Sequence, residues 1–102
     1  MVQYVTFTSA EIEFLNNYQP KNEHMTSMDE IEMIGNVFNL DTRDRNERMI
    51  IRNSVVKFYV ELMDKEIMYD SFGEYAGRTD KYWKYNTAMM SVTAAIDYFR
   101  YM

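Results

Sequence analysis

A chain of 102 residues, 47% of them apolar or aromatic and none cysteine, has the size of one domain and enough greasy surface for an ordinary core without covalent staples. The missing thiols exclude a disulfide scaffold, a cysteine nucleophile and a thiolate metal site together, and they favour the cytoplasm. A net charge of −5 works against a nucleic-acid binder, whose affinity for phosphates comes from cations.

In chain order, Val2, Tyr4, Val5, Thr6 and Phe7 are β-branched or aromatic and predict an extended arm over residues 1–8. With no second strand expected elsewhere, that arm either lies on the helices or pairs with a second copy of the chain. The first residues lack the basic start and unbroken apolar stretch of a secretory signal, and no later window is apolar enough to span a membrane. Thr8-Ser9-Ala10-Glu11 reads as a capping box opening a helix over about 9–18, with Ile12, Leu15 and Tyr18 at helical spacing and Pro20 beyond its end. Thr26-Ser27-Met28-Asp29 repeats the start signal for a helix over about 27–39, where Met28, Ile31, Ile34 and Phe38 form the apolar stripe beside Val37. Gly35 inside it is unfavourable by about 1 kcal/mol against Ala, which marks a close backbone approach.

A third, long helix is predicted over about 43–70, with Asp44 and Glu47 in its first turn. Ile51, Val55, Phe58, Leu62 and Tyr69 form one seam, and Met49, Val56, Val60, Met63 and Ile67 a second, so this helix is expected to be central. Residues 71–80, carrying Gly73 and Gly77, read as a connection. Thr79 or Asp80 then caps a last helix over about 79–101, whose Tyr82, Tyr85, Met89, Val92, Ile96 and Phe99 keep a heptad-like rhythm. Together these elements predict an all-α fold: a small four-helix bundle-like domain over 1–102, with two long C-terminal antiparallel helices and a short extended N-terminal arm.

Catalysis needs a base near its working pH and a nucleophile it can activate. His24, the one imidazole, sits in a polar turn, the acid pairs lack the Glu-x-x-His spacing of carboxylate metal sites, and the glycines match no phosphate loop. The expectation is therefore no enzyme, no metal and no cofactor. The charge distribution is more telling. Residues 1–41 hold seven acids (Glu11, Glu13, Glu23, Asp29, Glu30, Glu32 and Asp41) against Lys21 alone, whereas 42–102 hold ten basic and nine acidic residues. Such segregation points to a partner with a positive surface, because steering depends on the local field.

The acidic face formed by Glu11, Glu13, Glu23, Asp29, Glu30 and Glu32 is thus the first candidate for partner binding. Arg45, Arg48 and Arg52 form a second candidate as a row near the start of the third helix, suited to phosphates or carboxylates unless Asp41, Asp44 and Glu47, within reach of them, pair with them. Lys81, Trp83 and Lys84 form a third, in a basic cluster that also includes Arg78 and is interleaved with Tyr82 and Tyr85, with Trp83 the aromatic that leaves the apolar seam. The expected function is a small acidic protein-interaction protein, a regulator or inhibitor with the composition of phage or mobile-element accessory proteins. In its sharpest form it imitates DNA and blocks a basic nucleic-acid-binding partner such as a defence nuclease of the host cell. The alternatives are a nucleic-acid-binding module using either basic cluster, and a structural subunit or homodimer built on the seam of the last helix.

Overall fold

The computed structural model describes residues 2–20 and 27–102, and its elements follow from local start and stop signals. Helix α1 (Ser9–Asn17) begins at Thr8, whose hydroxyl accepts from the Glu11 N–H at 3.2 Å while the Glu11 carboxylate accepts from the Thr8 N–H at 2.8 Å. Helix α2 (Met28–Val37) starts at Ser27, which accepts from the Glu30 N–H, and helix α3 (Arg45–Asp64) at Asp44, which accepts from the Glu47 N–H. Each cap satisfies a donor that the first helical turn leaves unpaired. Thr26, the other residue of the second start signal, lies outside the described residues.

Helix α2 ends in a Schellman turn. Asn39 takes a left-handed conformation (φ 52°), and the Leu40 N–H donates across it to the Gly35 carbonyl at 2.9 Å. The Arg48 guanidinium then closes the α2–α3 connection, donating to the carbonyls of Asp41 (2.6 Å) and Thr42 (2.7 Å). Arg48 is buried. A cation near a helix start opposes the macrodipole, and these two carbonyls are the compensation.

The molecule is mostly helical, but the all-α expectation fails. The long helix stops at Asp64, and residues 65–79 form a hairpin of β1 (Ile67–Tyr69) and β2 (Tyr75–Arg78), paired antiparallel with Ile67 opposite Arg78 and Met68 opposite Gly77. Ala76 is extra to the register, a bulge on β2. The turn is built by Asp70, whose carboxylate accepts from the N–H groups of Phe72 and Glu74, and by Gly73 at φ 78°. Tyr69 therefore does not belong to a helical seam and is well exposed, and a second strand does exist, although it pairs within the hairpin and not with the N-terminal arm.

Helix α4 (Asp80–Tyr98) follows, ending in a 3-10 turn (Phe99–Tyr101). Thr79 occupies its cap position, but the hydroxyl donates to Glu66 instead of capping. Arg52 meets Asp97 at one end of the α3–α4 pair and Tyr59 meets Tyr85 towards the other, so the two helices run antiparallel. Their shared core is Ile51, Val55, Tyr59 and Met63 against Ala88, Val92, Ala95 and Ile96, joined by Leu15 from α1 and by Ile31, Ile34 and Phe38 from the α2 segment. The two-seam description of α3 needs revision, because Met49 and Val60 are exposed while Tyr59, in neither seam, is fully buried. Its hydroxyl donates to the Leu15 carbonyl at 2.7 Å, one of the carbonyls that the end of α1 leaves unpaired. Gly35 is a contact point for a side chain and not a backbone: any Cβ there would run into the Phe99 ring.

Residues 2–8 run extended along α3. The Val5 N–H donates to the Ser54 hydroxyl, the Lys57 ammonium lies over the Tyr4 ring, and Phe7 packs against the rings of Phe38 and Phe58.

Candidate interaction site

Helices α1 and α2 enclose a groove of about 700 Å³. Its floor is apolar, made by Ala10, Phe14 and Met33 with the Tyr18 ring, and among the described residues every charged side chain that lines it is a carboxylate: Glu13, Asp29 and Glu30. No lysine or arginine occurs among the described residues up to position 41. Glu13, Asp29 and Glu32 are exposed. Glu30 is buried and accepts from the Tyr18 hydroxyl at 3.2 Å, so it is part of the wall and not a free charge. Burial first, and then the negative charge of Glu30 and its hydrogen bond, push the Tyr18 phenol up to about 12. Glu11 is committed to the cap of α1, and Glu23, like His24, lies outside the described residues.

The arginine row is divided by the fold. Arg48 is turned inward to the backbone carbonyls of Asp41 and Thr42, and the Arg52 Nε lies 2.9 Å from an Asp97 carboxylate oxygen on α4. Arg45 stays exposed at the helix start, with Met49 and Arg100 beside it along a smaller depression. The expected pairing with Asp41, Asp44 and Glu47 is not what engages Arg48 and Arg52. Asp41 is contacted by Arg43 instead, and its carboxyl is held below the usual range chiefly by the Arg43 N–H.

Lys81, Trp83 and Lys84 do come together. They share a second groove of about 560 Å³ with Asn16 and Gln19 at the end of α1. Trp83 is half exposed and stands edge-on to Tyr82, with centroids 5.0 Å apart. Sequence reasoning grouped Arg78 with this cluster but missed that it organises this end. Its guanidinium lies 4.6 Å from the Tyr82 ring, 5.5 Å from Trp83 and 5.7 Å from Tyr75, so it fastens the hairpin to the start of α4. The aromatic side chains Phe72, Tyr69 and Tyr75 were also missed as surface residues, the first of them 89% exposed.

No cluster of three or more potential metal ligands occurs among the described residues, and no helix among them is long and apolar enough to cross a membrane. No protein-family profile, curated protein sequence or solved structure matches the chain.

Proposed function

We propose that the chain is a small regulator or inhibitor that acts by binding another protein, and that the α1–α2 groove receives a basic, partly apolar segment of that partner. The observation that carries this reading is the groove's composition, an apolar floor edged by carboxylates with no cation among its described lining residues. Such a site suits an amphipathic segment whose apolar side chains fill the floor while its lysines or arginines reach Glu13 and Asp29. A basic nucleic-acid-binding surface is one source of such a segment, and occupying it would block access of nucleic acid to the partner. Binding, not turnover, is the activity proposed.

The nucleic-acid reading is weaker, because Arg48 and Arg52 are already engaged within the fold. The Lys81, Trp83 and Lys84 set keeps its aromatic and basic character, but cations and acids balance along the hairpin beside it.

The test is capture of partners on immobilised protein from the cell that expresses it, repeated with Glu13→Lys/Asp29→Lys. Both residues are exposed, so the fold should survive the double reversal. A specific partner should be lost on reversal, and its affinity should fall by about tenfold or more between low and high salt. A partner that binds both proteins equally at all ionic strengths would remove the groove from the mechanism, and a shift of DNA or RNA by the wild-type chain at low salt would favour the nucleic-acid reading.

A further inference from the structure

The hairpin carries a surface that the groove reading does not use. Phe72 at its tip and the cross-strand pair Tyr69 and Tyr75 are all exposed, and so is Met68 on the other face. A two-stranded hairpin is marginal in water by itself, and this one places large apolar side chains on solvent instead of spending them on the core. Such a patch is characteristic of an interface.

Its charge identifies the kind of partner. Residues 65–84 contain four cations (Lys65, Arg78, Lys81 and Lys84) and four acids (Glu66, Asp70, Glu74 and Asp80). A surface so balanced offers nothing to a polyanion or to a strongly charged protein. With no net charge in this stretch, a second copy brought against it by a two-fold axis meets no net repulsion there.

The strand edges point the same way. The Thr79 N–H donates to the Glu66 carbonyl and the Asp70 N–H to the Glu74 carbonyl, which fixes the alternation along β1. It leaves the N–H and C=O groups of Ile67 and Tyr69 directed away from β2. The bulge at Ala76 blunts the β2 edge, whereas β1 has a regular one.

We propose that the hairpin is a homodimerisation element: β1 of one copy pairs antiparallel with β1 of a second, forming a four-stranded sheet that covers Tyr69 and Phe72. The proposal is independent of the α1–α2 groove. Three residues of edge and a few aromatic side chains make a small interface, so the dimer should be in exchange with monomer over about 5–500 µM.

Sedimentation velocity over that range should show the mass rising from one to two copies, with little change on adding salt. Phe72→Ser/Tyr69→Ser, two exposed positions, should shift the midpoint at least tenfold towards monomer while the helical circular dichroism is unchanged. Amide exchange at Ile67 and Tyr69 should slow as concentration rises. A wild-type chain that stays monomeric throughout would overturn the proposal. So would a dimer that survives the double substitution, or one in which those two amides gain no protection.

Discussion

Replacing Gly35 by alanine sets two effects of known sign against each other. In an exposed helix the substitution stabilises by about 1 kcal/mol, because glycine loses more backbone freedom on folding. Here the added methyl would stand 2.6 Å from Cδ2 and 2.9 Å from Cζ of Phe99, with Cε2 nearer still. Those atoms belong to the far end of a ring that packs against the core from the 3-10 turn after α4. The ring must swing outward or α2 must retreat, and overpacking of this kind costs about 1–3 kcal/mol. The steric loss exceeds the helical gain, so Gly35→Ala should be destabilising by about 1 kcal/mol net. In a domain of this size that lowers the melting temperature by roughly 4–8 °C. Urea denaturation followed by circular dichroism measures it. Combining the substitution with Phe99→Leu should recover part of the loss, with a coupling energy of about 1 kcal/mol in a double-mutant cycle. If Gly35→Ala were as stable as the wild type, or more so, the inferred contact between α2 and the C-terminal turn would be wrong.

Arg48→Met should cost about 2–3 kcal/mol, because it leaves the carbonyls of Asp41 and Thr42 without the charged donor that closes the α2–α3 connection. Arg52→Met, which breaks only a half-exposed ion pair, should cost under about 1 kcal/mol in the same denaturation assay. Stability should also decline at alkaline pH. Tyr18 and Tyr59 hold their phenol protons above the ordinary value of 10, Tyr59 mainly through burial. Above pH 10 the folded state thus binds more protons than the unfolded chain, so stability present below 10 is lost as pH climbs through about 12. Denaturant midpoints across that window, for the wild type and Tyr59→Phe, should show a shallower decline in the variant.

The parts of this fold that depend on neighbours in sequence can be read from the sequence. Thr8 with Glu11, Ser27 and Asp44 each place a side-chain oxygen where a helical turn exposes N–H groups, and Asn39 supplies the left-handed residue that ends α2. The hairpin was hidden because Met63, Ile67 and Tyr69 continue a helical rhythm out of α3, and an apolar run this short cannot distinguish strand from helix. Its true signal is Asp70 followed by Gly73, a turn pattern set between Ile-Met-Tyr and Tyr-Ala-Gly-Arg.

Sites proved harder to read, since they depend on which helices meet. The clustering of Glu13 with Asp29 requires α1 to lie beside α2, and the diversion of Arg52 requires Asp97 to arrive from 45 residues away. Tyr59 was obscured for a related reason, since the apolar residues around it leave the inward direction of α3 undefined until α1 presents the Leu15 carbonyl.

That single bond has a mechanical meaning. Helix α1 has nine residues, too few to persist alone, and Leu15, Phe14 and the Tyr59 hydroxyl anchor it to the rest. The α1 wall of the groove is therefore positioned by tertiary bonds, to α3 at the Leu15 carbonyl and to α2 through Tyr18 and Glu30, and its shape is as firm as those contacts.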